Sequence, residues 1–237
     1  GLGTERSSGD FVVHTSNAGS SGVSGKLSFT SGTSSAGNSG LISMVTGAAT
    51  NGKAGAVLAS VGSGTTGTGG LVSIVAGETT ADSAVGGGVY IVGGLASSSS
   101  SAEGGAVSVT AGVGASITGG ALSLSTGEGT ASSSGGIVMK TVNAGTLGVS
   151  GALSFTSGTT SRGASGSITL ATGTATSGKG GNIVLSVSPG TAGIDPTDTG
   201  GDVIVRAGDS TAASGTGSGG AISLATVLPW DLSTGAA

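Results

Sequence analysis

A short internal repeat constrains the fold of this chain more than any other feature of its sequence. A glycine, here called the origin glycine, begins each repeat, and seven of the thirteen spacings between origin glycines are 15 residues long. The other six spacings run from 16 to 20 residues. The fourteen origin glycines stand at positions 9, 25, 40, 55, 70, 87, 105, 120, 135, 151, 166, 181, 201 and 220.

Large apolar side chains occupy two fixed places in the repeat. The second place after the origin glycine always holds one, and the fourth place holds one in every repeat except at Ala59. Because successive side chains of a strand alternate between its faces, the two places predict one strand per repeat with one apolar face. The second-place residues are Phe11, Leu27, Ile42, Val57, Val72, Val89, Val107, Leu122, Ile137, Leu153, Ile168, Ile183, Val203 and Ile222. The other fourth-place residues are Val13, Phe29, Met44, Ile74, Ile91, Val109, Leu124, Met139, Phe155, Leu170, Leu185, Val205 and Leu224.

The rest of each repeat is rich in small residues. Glycine stands at the seventh place in ten repeats, which predicts a tight bend with positive φ or a close backbone approach. The following residues, here called the return, are mostly Gly, Ser, Thr and Ala, and they contain every long insertion, such as 97–101 and 195–198. Each repeat therefore reads as one strand, one bend and one thin polar return.

These features predict an all-β fold, a parallel β-solenoid of about 14 coils with a 15-residue period and no α-helix. One coil cannot bury two apolar side chains by itself, but coils stacked about 4.8 Å apart would align them into continuous columns. We expect a lead-in over 1–8, one solenoid over 9–227 and a C-terminal cap or tail over 228–237.

A longer repeat is superimposed on the short one. Residues 9–55 match residues 135–181 at an offset of 126, with 29 of 47 residues identical. Eight short repeats therefore make one super-repeat, 9–134, followed by a partial second copy, 135–227.

Four sequence features invite a chemical role, and each has a simpler interpretation. His14 is the only histidine, so it cannot form a zinc site alone, and a catalytic triad would need a nucleophile at a strand-to-helix turn. The segments 62–67 and 215–220 match the dinucleotide pattern GxGxxG, but chance supplies such matches in a glycine-rich chain and no following helix is predicted.

The other two features are an acidic group and a tryptophan. Asp195, Asp198 and Asp202 could offer oxygen ligands to Ca²⁺, although a solvated insertion is the favoured interpretation. Trp230 fits a cap over the last repeat better than a partner anchor. We therefore assign no catalytic, cofactor-binding or metal-binding residue, and we expect neither an enzyme nor a cofactor.

Composition excludes several other classes of function. The net charge is −4, and the seven Lys and Arg are scattered, so no basic stripe for nucleic acid is predicted. There is no cysteine for disulfides, and no apolar run is long enough to span a membrane. The sequence contains no N-glycosylation sequon, whereas O-glycosylation stays open. The start at Gly1 predicts either a removed leader or an excerpt of a longer chain.

In architecture the chain resembles the glycine-rich short-repeat β-solenoids of surface fibres, adhesins and ice-binding proteins, over residues 9–227. The resemblance rests on the pattern Gly-x-Φ-x-Φ-x-x-Gly, where Φ is aliphatic or Phe. This pattern is specific for the fold but carries little information on function. The super-repeat, the flat neutral outward face of the strands and the short lead-in before the first coil favour a structural protein, a subunit of an extracellular fibre, filament or surface appendage that stacks end to end with copies of itself, with lateral association as an additional mode. The alternatives are ice binding through a flat Ser/Thr/Val face and a segment of a cell-surface adhesin; a carbohydrate-binding or lyase β-helix is least favoured.

Overall fold

The chain lacks regular secondary structure wherever its fold is described. The computed structural model describes residues 8–98, 101–146, 148–190, 200–210 and 217–225. Within these ranges no residue belongs to a helix or a β-strand. The predicted all-β parallel β-solenoid, or β-helix, is therefore wrong.

The missing sheets are evident from the hydrogen bonds, and two physical features account for them. A ladder requires consecutive hydrogen bonds between neighbouring strands, yet the backbone hydrogen bonds of the described residues are single bonds that close loops. Moreover, a sheet needs a second apolar layer to cover it, and in the returns large apolar side chains such as Leu95, Val113 and Ile117 occur at irregular places among small and polar residues. Glycine also weakens strands through its backbone entropy, and the chain has 53 glycines.

The backbone bends at one recurring place in the repeat. Every bend or turn of the described residues lies in a return, close before the next origin glycine. The bends cover 20–22, 35–37, 50–52, 65–68, 81–83, 115–117, 130–132, 161–163 and 176–178, with single bends at 101, 146 and 148. Positive φ occurs there too, for example at Gly67 (75°), Gly163 (95°) and Ser83 (58°).

The bend that we predicted at the seventh-place glycine is therefore misplaced. None of these ten glycines has positive φ, and a Cβ added at any of them would meet nothing within 4 Å. In five repeats their backbone has a different role, because the carbonyl of the seventh-place glycine accepts a hydrogen bond from the amide of the next origin glycine. These bonds join Gly87 to Gly77 (2.9 Å), Gly105 to Gly94 (2.8 Å), Gly120 to Gly112 (2.9 Å), Gly135 to Gly127 (3.1 Å) and Gly220 to Gly208 (2.8 Å).

These five returns are thus loops whose two ends are joined by a hydrogen bond, as in an Ω-loop. The closing glycines are separated by as few as 8 residues, from Gly112 to Gly120, and by as many as 12, from Gly208 to Gly220. The same two places meet in both, so the insertions lengthen the loop without moving its ends.

The closest packing in the repeat lies at the sixth place, directly before the loop. Its side chain lies against the next origin glycine: a Cβ on Gly70 would stand 2.5 Å from Val61 Cγ1. A Cβ on Gly181 would stand 3.1 Å from Thr172 Cβ, and the Thr172 hydroxyl donates to the Gly181 carbonyl at 3.4 Å. At Gly70 and Gly181 the origin glycine therefore permits a close approach that a larger residue would obstruct.

The predicted apolar core is absent from the described residues, none of which is buried. Only seven are half-buried, and five of these occupy the sixth place: Thr15, Thr46, Ala76, Gly93 and Ala111. The chain exposes 23224 Å², whereas a folded monomer of 21.3 kDa exposes about 9,000 Å² and an extended chain about 31,000 Å².

The chain divides into two units, Gly1–Leu122 and Ser123–Ala237. Each contains its own series of closed loops, for example 77–87 in the first unit and 127–135 in the second. The domain limits predicted from the sequence stay predictions.

Candidate functional site

The second-place side chains form a row of uniform exposure. From Leu27 to Ile222 their exposed fraction stays between 50% and 59%, although the residues vary among Val, Leu and Ile. Phe11, which has no full repeat before it, is 92% exposed. The contrast indicates that each second-place side chain gains its partial cover from the preceding repeat, while its other half stays open to solvent.

The fourth-place side chains form a second apolar row that is more exposed, with most members about two-thirds accessible, such as Ile74, Ile91 and Leu124. Exposed apolar side chains are ordinary when they are scattered, but contiguous apolar surface marks an interaction site. Within each unit, the residues of the two rows are therefore the candidate site.

Within the second unit, the rows form a groove of about 330 Å³ lined by Met139, Phe155, Ile168, Thr169 and Leu170. Met139, Phe155 and Leu170 are the fourth-place residues of three successive repeats. Three repeats thus bring their side chains to one concavity. We call this set the 139–170 groove.

The 139–170 groove has no charged lining residue. Its only polar side chain is the hydroxyl of Thr169, whereas the aromatic ring of Phe155 and the thioether of Met139 offer polarizable apolar surface. An ionic ligand would find no counter-charge among these five residues, so the groove suits an apolar occupant.

The super-repeat places the same residue types in the first unit. Subtracting 126 from each groove residue gives Val13, Phe29, Ile42, Ser43 and Met44. Two of the five are identical, and the other three are conservative changes. We call this set the 13–44 patch; its Ile42 and Phe29 are exposed to 52% and 70%, compared with 54% and 59% for Ile168 and Phe155.

The candidate residues for catalysis and ion binding are not brought together in the described part of the chain. His14 is exposed, and its Nδ1 lies 3.3 Å from the carbonyl oxygen of Thr15, which is a local contact. Asp202 is exposed, while Asp195 and Asp198 lie outside the described residues. The described residues contain no group of three His, Cys, Asp or Glu that could hold a metal ion.

The structure tests the predictions for the two GxGxxG segments and for Trp230 only in part. The segment 62–67 lies in a return that bends at 65–68 and leads to no helix, so it lacks the helix N-terminus that a dinucleotide site needs. Of 215–220 only 217–220 are described, and Trp230 lies outside the described residues. The absence of an enzyme activity stays a prediction.

Comparisons with protein-family models, curated proteins and solved structures find no match to this chain. In the described residues there is also no helix that is long and apolar enough to cross a membrane.

Sequence reasoning missed the sixth place, where the half-buried residues cluster. The signal was available, because this place contains Ser, Thr, Val, Ala or Gly in every described repeat. A search for large apolar residues overlooks the sixth place, since the side chain there is small and contacts the next origin glycine.

Proposed function

We propose that this protein is a structural, self-associating subunit of an extracellular fibre or surface appendage. The observation that carries the proposal is the exposure of both apolar rows in a chain whose described residues bury no side chain. Exposed apolar surface on this scale gains free energy when another apolar surface covers it.

The amount of apolar surface supports a protein partner. Full burial of one aliphatic side chain contributes roughly 1.5–3 kcal/mol. At about 25 cal/mol per Å², this free energy corresponds to about 60–120 Å² of apolar area removed from water. With 13 or 14 row residues in each unit, at least half exposed, each unit offers on the order of 700 Å². A specific interface buries about 800 Å² per partner.

Another copy of the chain is the partner that fits this surface. The rows repeat along the sequence, so two copies can match apolar side chains at many successive repeats. Charge repulsion between copies is weak, since only 8% of the residues are charged and the net charge is −4. Association through repeated matching contacts that do not close on themselves produces fibres.

An extracellular location is part of the proposal. Inside cells, chains with exposed apolar surface are bound by chaperones and removed by proteases, so a chain of this kind is better suited to a place outside the cell. Protease treatment of intact cells that make the protein tests this point. Degradation of the protein without lysis is expected, and protection until lysis would contradict the location.

Electron microscopy and sedimentation velocity of the purified chain over a hundredfold concentration range test self-association. We expect larger species and filaments as the concentration rises. Monomers at every concentration would overturn the proposal. Ice binding stays an alternative from the sequence, and thermal hysteresis by the dilute monomer is the result that would favour it.

A further inference from the structure

We propose that each chain carries two self-association sites of the same chemistry, the 139–170 groove and the 13–44 patch, and that each is covered by the corresponding surface of a second copy. The inference rests on the proposed function and adds its contact residues and its valence. Two sites per chain, one in each unit, make unbranched polymers.

The first argument is the residue content of the two sites. The chain has three Phe and two Met. Both Met residues, Met44 and Met139, and two of the Phe residues, Phe29 and Phe155, belong to the two sites. Apart from Phe11, these are the largest and most polarizable apolar side chains in the rows, and such residues dominate the energetics of protein interfaces.

The second argument is area. The five side chains of one site cover less than a stable interface needs, but the rows of the same unit supply on the order of 700 Å² around them. Each site is therefore the centre of a surface large enough for one partner. A second copy provides an apolar surface of equal size and equal lack of charge.

The third argument is the equivalence of the two sites. Because the two sites are related by an offset of 126 residues, with two of five residues identical and three conservatively changed, a surface that covers one of them also fits the other. Removing one site should then leave chains that associate only through the remaining one. Such chains form dimers and do not assemble further.

The test uses the full chain with Phe29→Ser, Phe155→Ser and both substitutions together. Tyr90→Ser is the control, because Tyr90 is an exposed aromatic residue that lies outside both sites. In sedimentation velocity we expect dimers as the largest species for each single variant, monomers for the double variant and wild-type polymers for Tyr90→Ser.

Methionine oxidation provides a second readout that needs no substitution. Dilute hydrogen peroxide oxidises accessible Met to sulfoxide, and peptide mass mapping reports each Met separately. On assembly of the wild-type chain we expect at least about tenfold slower oxidation at both Met44 and Met139, a factor that corresponds to about 1.4 kcal/mol of protection.

The outcomes separate this inference from the proposed function. If the double variant polymerises like the wild type and both methionines stay accessible, assembly uses other residues, so the two-site inference is overturned and the function survives. If one single substitution already abolishes all association, the two sites are not equivalent and the inference is equally overturned. If the wild-type chain never associates, both fail.

Discussion

The amide of Gly105 donates a 2.8 Å hydrogen bond to the carbonyl oxygen of Gly94 and closes the loop between them. A Cβ on Gly105 would stand 2.9 Å from the Gly94 nitrogen, whereas a Cβ on Gly94 would meet nothing within 4 Å. The two glycines share one bond, yet only one of them tolerates a side chain.

Gly105→Ala should therefore open this loop, and Gly94→Ala should not. Both substitutions reduce the entropy of the unfolded chain to the same extent, so the pair isolates the close approach. Loss of one hydrogen bond costs about 0.5–1.5 kcal/mol, and we expect the amide of residue 105 to exchange its hydrogen about two- to tenfold faster. Equal exchange rates in the two variants, measured by NMR, would contradict the loop geometry.

The bend at 65–68 offers a second glycine pair. Gly67 has a φ of 75°, a left-handed conformation that costs a residue with a Cβ about 1–2 kcal/mol. Gly69, two residues later, has no positive φ and open space around its Cβ position. We expect Gly67→Ala to increase proteolytic nicking within 62–70 roughly fivefold or more, while Gly69→Ala stays near the wild-type rate. Mass spectrometry of the nicked products measures both, and a faster rate for Gly69→Ala would count against the bend.

How far the sequence predicts this fold depends on the feature. The period and the tolerance of the returns to insertion follow from glycine spacing, and loops of different length close on the same pair of places, as at Gly112–Gly120 and Gly208–Gly220. The presence of strands does not follow from the sequence. Alternation of apolar residues specifies the apolar face of a strand, but it does not supply the second layer that must cover this face. In the described part of the return that follows Ile137 and Met139, Val149 is the only large apolar side chain, and it is itself 95% exposed, so Ile137 and Met139 stay exposed as well.

The candidate site was predicted in part. The sequence identified the residues of the two apolar rows. It predicted that these side chains are buried, whereas the structure shows them exposed. The half-buried contacts, such as Thr15 against Gly25, involve a place whose residues are too small to register as apolar. Convergence of Met139, Phe155 and Leu170 on one groove depends on loop geometry, which the spacing of the residues alone does not determine.

Assembly should respond to the salts that alter apolar association and hardly to screening. Sulfate is excluded from protein surfaces and strengthens apolar burial, so we expect about 0.5 M sodium sulfate to lower the concentration at which polymers form. Sodium chloride between about 0.05 and 0.5 M mainly screens charge, and the effect should stay within about twofold because few residues are charged. Light scattering measures both, and dissociation by moderate chloride would indicate a charge-driven contact instead.

Cooling should weaken the same association. Apolar burial near room temperature is driven by entropy, and its strength declines as the temperature falls. Polymers formed at about 25 °C should therefore partly dissociate at about 4 °C and form again on warming. Polymers that grow on cooling would show that hydrogen bonds or ion pairs dominate the contact.

Peroxide treatment before assembly should block it, because sulfoxide formation makes Met44 and Met139 polar at the centre of both sites. We expect the concentration needed for polymers to rise about tenfold, equivalent to about 1.4 kcal/mol, and methionine sulfoxide reductases to restore assembly. The control is the double variant Met44→Leu and Met139→Leu, since Leu conserves volume and apolarity but is not oxidised by peroxide. This variant should assemble like the wild type, and peroxide should not inhibit its assembly. If peroxide inhibits it equally, the oxidised group lies elsewhere in the chain and the two methionines are not at the contact.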